Sequence, residues 1–559
     1  MEVSSSTRLS TDSESSKSME QVLLLSGRLS ITKQQLNTCC NPTCQIRKLK
    51  NKRAILVLVW NYLVISTYYY LSVYAPHHSL HYITWGLTLP IAGWLADVYL
   101  GRYNVIRWSM WIMWVASMLA TASSVVAQLV DSYYNISKNI TIVLLIITSV
   151  GFGGYQANVI LFGIDQLHDA SSEEIVTFIS WYVWTYFSGG IVIYFMYTYI
   201  DVNEEYQLLG QLLVCTSLTV AVGSLLLFNT MLVKEPVIQN PFKLVYKVLK
   251  YAIKNKHPRC RSAFTYCEDD IPPRIDFGKS KYGGPFTTEQ VEDVKTFLRQ
   301  LVIVCVGCAS SSGVLAMNAL RNKLIKLSAY SDQADTPNIV HEYFLDSFYT
   351  YTLFYSGAVL IPLHEFVFHP VLQKYFSWVK SHWKISLGVI LQMARVITLM
   401  AFVLTARHTY LLEHRDYNTT INCIFSEDHG ILRFSFNNRW MALPNVLNCM
   451  SYITIGIGGI EFICAQTPYS MRGLLFGAVY GSVTIFNVIE YGIMQPFTRQ
   501  LSFWGTGTIS CGFWYSLFIV LLLIFDSVIL LALFKWYKRR KREDVLPNEQ
   551  IFAERYYTT

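Results

Sequence analysis

Apolar residues run through this chain as many separate blocks, each close to the roughly 20 residues a helix needs to cross the hydrocarbon core of a bilayer. The blocks fall near 54–74, 83–100, 104–130, 141–163, 175–200 and 208–233, and again near 300–318, 344–367, 385–406, 441–465, 473–494 and 510–534. A long polar insert at about 234–299 separates the two sets. Lipid accepts only helices and closed barrels, because backbone amides cannot be left unpaired in hydrocarbon. The pattern therefore predicts an all-α membrane protein with twelve transmembrane helices in two six-helix bundles. Its parts are an N-terminal tail over 1–53, a first bundle over 54–233, a linker over 234–299, a second bundle over 300–534 and a C-terminal tail over 535–559.

Composition agrees. The chain is 52% hydrophobic and only 15% charged, against roughly 25% charged in soluble globular domains, and its mean hydropathy is +0.32. The net charge of +8 lies mostly in segments flanking the spans and is no nucleic-acid signal. Twelve cysteines are scattered without disulfide or zinc spacing. Cys39, Cys40 and Cys44 precede the first span, where either palmitoylation or free thiols fits. Residues 1–52 lack the apolar core of a cleavable signal.

Charge asymmetry gives the sidedness. Arg47, Lys48, Lys50, Lys52 and Arg53 precede the first span, and Lys535, Lys538, Arg539, Arg540, Lys541 and Arg542 close the last. By the positive-inside rule both termini are cytoplasmic. The glycosylation sequons at Asn135, Asn139 and Asn418 all fall in loops assigned to the opposite side. Basic residues in the external loops 319–343 and 407–440 dissent, but the first spans dominate. Within the insert, Asn240-Pro241 marks a helix start. Lys243, Lys247, Lys250 and Lys254 then share a face opposite Leu244, Val248 and Leu249. That pattern fits either a helix lying on the inner leaflet or a solvated linker helix.

Candidate chemistry begins at Gly93-Trp94-Leu95-Ala96-Asp97-Val98-Tyr99-Leu100-Gly101-Arg102, between the second and third blocks. Small residues allow close helix contact, and an acid at the membrane edge is costly enough to imply a role. The segment resembles the signature loop of the major facilitator superfamily. That resemblance implies a gate in which Asp97 pairs across the cytoplasmic surface and Arg102 holds the neighbouring helix. Gly93, Asp97, Gly101, Arg102, Glu461 and Arg472 are the gate candidates. Glu365, four residues after Ile361, echoes Asp97, four after Gly93, as internal repeats of this transporter class lead one to expect.

Three further segments narrow the resemblance: Gly151-Phe152-Gly153-Gly154-Tyr155-Gln156-Ala157-Asn158-Val159 followed by Phe162-Gly163-Ile164-Asp165-Gln166, then Phe178 to Trp184 with Ser188-Gly189-Gly190, and Gly459-Ile460-Glu461-Phe462 with Ser470-Met471-Arg472-Gly473. In this order they are similar to the proton-dependent oligopeptide transporter (POT, or PTR) family, over roughly 54–540. The resemblance implies alternating access to a midplane chamber, with Tyr68, Tyr69, Gln156, Asn158, Trp181 and Tyr452 as its lining. Departures from the family pattern matter as much. No Glu-x-x-Glu-Arg precedes Tyr68 and Tyr69, Gln156 stands where a lysine is usual, and Tyr452 aligns with an acid. A tyrosine with an ordinary pKa near 10 cannot carry protons at neutral pH, so proton coupling by the usual residues is not expected. Glu490, in the eleventh span, is the substitute candidate for coupling, and a structural ion pair is the alternative for it and for Glu461.

The expected function is transmembrane transport of small organic solutes, most plausibly oligopeptides or amino-acid-like molecules, by a monomeric unit in the lipid bilayer. The alternative is a carrier-derived sensor or scaffold signalling through cytoplasmic segments. No cofactor or metal is expected beyond a proton as possible coupling ion, no nucleic-acid partner, and no enzymatic constellation occurs. Glu20-Gln21-Val22-Leu23-Leu24-Leu25 resembles an acidic dileucine address read by sorting receptors, with Glu20, Leu24 and Leu25 as its elements. The endolysosomal membrane and the plasma membrane are thus the two expected locations.

Overall fold

Helices carry nearly all of the described chain. In the computed structural model the described residues are 49, 51–74, 78–130, 134–167, 172–200, 205–235, 241–255, 273–307, 352–368, 381–413, 440, 442–468, 471–494 and 513–537. They belong to one compact unit, Arg47–Thr559. The first set comprises α1 (Lys52–Tyr74), α2 (His78–Leu95), α3 (Arg102–Leu129), α4 (Tyr134–Asp165), α5 (Ser172–Ile200) and α6 (Glu205–Leu227). A linker helix α7 (Pro241–Lys254) follows. Then come α8, described over 288–307, α9 (Thr352–Leu363), α10 (Ser381–Glu413), α11 (Ala442–Gln466), α12 (Arg472–Met494) and α13 (Phe513–Trp536). Among the described residues, 8 helices are long and apolar enough to cross a membrane, and Thr352–Val367 and Arg472–Phe486 are shorter apolar segments.

The helix α4 starts at Tyr134, earlier than the apolar run suggests, and has 32 residues. At about 1.5 Å per residue it outreaches a hydrocarbon core of roughly 30 Å by several turns. Asn135 and Asn139 therefore fall in its first turns, not in a loop, and Asn139 is exposed.

Two helices end alike. Pro90 lies inside α2 and Pro362 inside α9, and each helix passes into a five-residue π turn, Ala96–Leu100 and His364–Phe368. The acid is the second residue of both turns, Asp97 in one and Glu365 in the other. The echo read from sequence is thus a backbone echo as well.

Contacts pair α2 with α12 and α5 with α9, joining the first set to the second, while α3 packs on α4 and α10 on α11 and α13. One large buried cluster runs from Trp60, Tyr155 and Phe178 through Phe354 to Leu475 and Phe476, so the two sets share a core.

The linker folds back on the bundle. Val248 of α7 is buried with Val291, Val294 and Phe297, and Leu244 and Val245 pack beside them. Tyr251 meets Phe286 edge-on, with 6.1 Å between ring centroids. The apolar face expected to touch lipid is therefore covered by protein. A reciprocal cap opens α8: Thr287 N–H donates to Gln290 Oε1 and Gln290 N–H to Thr287 Oγ1, both at 3.2 Å. Asp276, Lys279, Glu292 and Lys295 tie the linker to α8, with Lys279 Nζ 2.8 Å from Asp276 and Lys295 Nζ 3.2 Å from Glu292. Lys279 also pairs with Glu292, and Lys295 with Asp276.

Candidate functional site: gate and chamber between the two helix sets

The gate is built on small residues. A side chain added at Gly93 would run into the backbone of Gly473, and one at Gly477 would come within 2.8 Å of Pro90. With nothing between them, the α2 and α12 backbones meet closely enough for a carboxylate on one to reach an amide on the other. Asp97 Oδ2 accepts the Leu474 N–H at 2.8 Å. Leu474 is in the first turn of α12, where amides lack intrahelical acceptors and the helix dipole favours an anion. Asp97 is thus a cap supplied by the other helix set.

Gly101 follows with φ 78°, a conformation costly for a residue with a Cβ. It lets the chain turn straight into α3, where Arg102 is the first residue. Arg102 Nη1 donates to both Asp165 oxygens at 2.9 Å, and its Nη2 lies 3.6 Å from Asp97 Oδ1. One guanidinium therefore holds the end of α4 and orients the cap. Asp165 belongs to the site although only its motif, not a role, was read from the sequence. Its neighbour Gln166 pairs like a peptide group with Val233, accepting N–H at 2.9 Å and donating to C=O at 3.0 Å.

Glu461 and Arg472 sit elsewhere than the gate reading placed them. Lys384 Nζ, on α10, donates to both Glu461 oxygens at 2.8 Å, and Glu461 is fully buried. Both belong to the second set, so this is an ion pair within one half rather than a latch between halves. Arg472 Nη2 donates to the Cys464 carbonyl at 2.8 Å, closing the α11–α12 turn.

Across α5 and α9 the halves meet through aromatics. Proline at 362 has no N–H for the carbonyl four residues earlier, and that carbonyl, Ala358 O, accepts Trp184 Nε1–H at 3.0 Å. Trp181 stacks obliquely on Phe366 at 5.8 Å. Tyr69 contacts Tyr186 and Phe354 edge-on at 5.4 and 5.5 Å. Tyr182 and Tyr480 also meet across the halves.

Helix α11 touches α5 but leaves part of its inner face uncovered. On α11, Leu443 and Met450 form one exposed face, and Tyr452, 39% exposed, points roughly 180° away from it. Along that second face, among the described residues, a Cβ at Gly459 would meet nothing within 4 Å and one at Gly456 would meet Val183 of α5 at 3.9 Å. Exposure opposite the outward face marks an uncovered inner face at Tyr452 and Gly459, bordered by the Gly456–Val183 contact.

The other lining candidates divide. Gln156 Oε1 accepts Trp85 Nε1–H at 3.0 Å, and the half-buried Trp181 faces the second set. Asn158 is fully buried and donates to Gly154 O at 3.0 Å and Ala92 O at 3.5 Å. It fastens α4 to α2 and is a packing residue rather than a chamber wall. Tyr69 is likewise inside the aromatic packing. The side chains of Tyr68, Glu490 and Asn135, and the segments bearing Asn418, Glu20, Leu24, Leu25, Cys39, Cys40 and Cys44, lie outside the described residues. No group of three or more metal-ligating side chains occurs among the described residues.

An all-helical membrane protein with two helix sets, joined by the Asp97 cap on α12 and leaving part of α11 uncovered, is the class these observations define. Comparison with known proteins shows what the chain is similar to. The POT family model matches residues 103–314. Human solute carrier family 15 member 5 is 27% identical over 229 residues, which spans 38% of each chain. Mouse solute carrier family 15 member 3 is 23% identical over 434 residues, covering 70% of this chain and 72% of that one. The fold matches a crystal structure of an auto-inhibited POT family peptide transporter with TM-score 0.57, at 14% identity, over 89% of this chain and 100% of that one. It matches the POT family transporter PepTSo with TM-score 0.59, at 14% identity, over 87% and 98%. The chain is thus similar to the POT family over residues 103–314 and shares the fold of its solved members.

Proposed function

We propose that the chain carries small organic solutes, short peptides or amino-acid-like molecules, across a membrane by alternating access, with both termini cytoplasmic. The uncovered inner face of α11 at Tyr452 and Gly459 supports this reading. A space between two helix sets, closed at one end by a cap that a rocking motion can break, is what alternating access requires. Relatives in the fold class support the solute class: one POT family structure is a complex with 5-aminolevulinic acid and another with alafosfalin.

The wall has one tyrosine and two glycines, with the buried Arg395 close enough to act electrostatically on Tyr452, so it suits amphipathic solutes held by ring contacts and hydrogen bonds. Glu461, the buried acid nearest the family pattern, is neutralised by Lys384. Coupling to protons through that acid is therefore not proposed, and facilitative exchange is. Reconstituted protein should catalyse counterflow of a labelled di- or tripeptide, and a pH jump should not drive accumulation above equilibrium. Absence of counterflow across a panel of di- and tripeptides, amino acids and nitrate would defeat the proposal.

A further inference from the structure

The linker helix α7 presents two exposed strips away from its buried face. Pro241, Val248 and Ala252 are its buried residues. Around the remaining surface Phe242, Tyr246 and Ile253 are 56%, 56% and 77% exposed. At 3.6 residues per turn these three fall within roughly 40° of one another, and Lys250, Lys243, Lys254 and Lys247 fill the adjoining arc of roughly 60°. All four lysines are exposed, and α7 contains no acidic residue.

We propose that this double strip docks onto anionic phospholipid headgroups of the membrane that holds the protein. Two observations choose lipid as the occupant. Large apolar side chains bordering a lysine row match the boundary between acyl chains and negative headgroups, where the apolar body inserts and the ammonium stays at phosphate level. The chain also leaves α6 through exposed apolar residues, Leu226, Leu227, Phe228 and Met231, before α7 begins at Pro241, so α7 follows directly on a segment apolar enough to cross a membrane. Contact of α7 with the Ala96–Leu100 turn places it on the gate side. The expectation of a leaflet-bound helix is thereby kept but turned. The face with Leu244 and Val248 binds the protein, and the flank with Phe242 and Ile253 meets the bilayer.

The test uses the full chain in nanodiscs of phosphatidylcholine alone or with phosphatidylserine. A photoactivatable phosphatidylserine should crosslink within 242–254, and native mass spectrometry should show phosphatidylserine retained over phosphatidylcholine. Replacing Lys243, Lys247, Lys250 and Lys254 by Gln should lower that preference by about fivefold for each lysine, and high salt should do the same. Soluble glycerophosphoserine or inorganic phosphate should not compete, which separates a headgroup in the membrane from a free anion. Phe242→Ser with Ile253→Ser should weaken retention while leaving the charge untouched. Should the quadruple variant fail to fold, Lys247→Gln and Lys250→Gln taken singly carry the same test. Crosslinks only outside α7, or an unchanged lipid preference in the lysine variants, overturn the proposal. So does dependence on an added acidic protein for any lipid contact. Absence of counterflow in the parent chain with lipid retention intact would count against the transport reading alone.

Discussion

Asp97 and Leu474 are 377 positions apart in sequence, yet the carboxylate of one accepts the amide of the other at 2.8 Å. Removing a helix cap costs about 0.5–2 kcal/mol, and here that cost falls on the state in which the two helix sets touch at this end. Asp97→Ala should speed hydrogen exchange of the first α12 amides and lower solute uptake several-fold. Asp97→Asn, which still accepts a hydrogen bond, should fall between. Unchanged exchange at Leu474 in the alanine variant would contradict the cap.

Gly459 separates transport from folding. A side chain there enters open space, and replacing a helix-interior glycine gains up to about 1 kcal/mol of helix propensity. Gly459→Leu should therefore keep or raise the thermal midpoint in detergent while cutting counterflow at least tenfold. A destabilised but fully active variant would place the chamber elsewhere.

The Lys384–Glu461 pair is a structural contact in this fold. Lys384→Met leaves Glu461 buried without its cation and should cost about 3–5 kcal/mol, most of it recovered when Glu461→Met is added. Unfolding midpoints of the single and double variants measure this directly. Where transport survives, its pH profile in Glu461→Gln should match the parent, and a shifted profile would restore Glu461 to a proton role.

Trp184 takes the carbonyl that Pro362 leaves free. Trp184→Phe keeps most of the ring area but strands the Ala358 oxygen, a loss of about 1–3 kcal/mol if it stays buried. Pro362→Ala combined with Trp184→Phe should be milder than the tryptophan change alone, because an N–H at 362 can then serve Ala358. Additive effects in this double-mutant cycle would argue against the link.

Linker order should depend on pH in a defined direction. Burial alone would lower the Lys279 ammonium, but its bonds to Asp276 and Glu292 prevail and hold it above the usual lysine range. Burial would likewise raise Glu292, yet Lys279 and Lys295 hold it below the usual carboxylate range. Glu292 then stabilises the folded linker above its unfolded value, near 4.3 for a free glutamate, and this is lost as pH falls through its depressed folded value. Lys279 contributes below about 10.4 and loses that contribution as pH rises through its raised folded value. Proteolytic protection of 273–295 should accordingly hold at neutral pH and fail first on the acid side. Glu292→Gln should remove the acid limb.

Much of this protein is written locally. Blocks of apolar residues specify helices that lipid will accept, Asn240-Pro241 marks the start of α7, and the spacing of Gly93, Asp97, Gly101 and Arg102 describes a tight helix end with an acid at its edge. These features depend on neighbours within a turn or two, where backbone hydrogen bonds and side-chain spacing are decided. Partner choice is not local. Only the packed fold shows that Asp97 caps α12, that Glu461 answers Lys384 instead of the other half, and that Asn158 binds Ala92 rather than a solute. It alone shows that the apolar face of α7 is taken by protein. A buried polar group must find its complement wherever packing brings one within about 3 Å, and that complement can lie anywhere along the chain. The sequence alone therefore determined the helices and the candidate groups, while tertiary packing decided which of those groups meet.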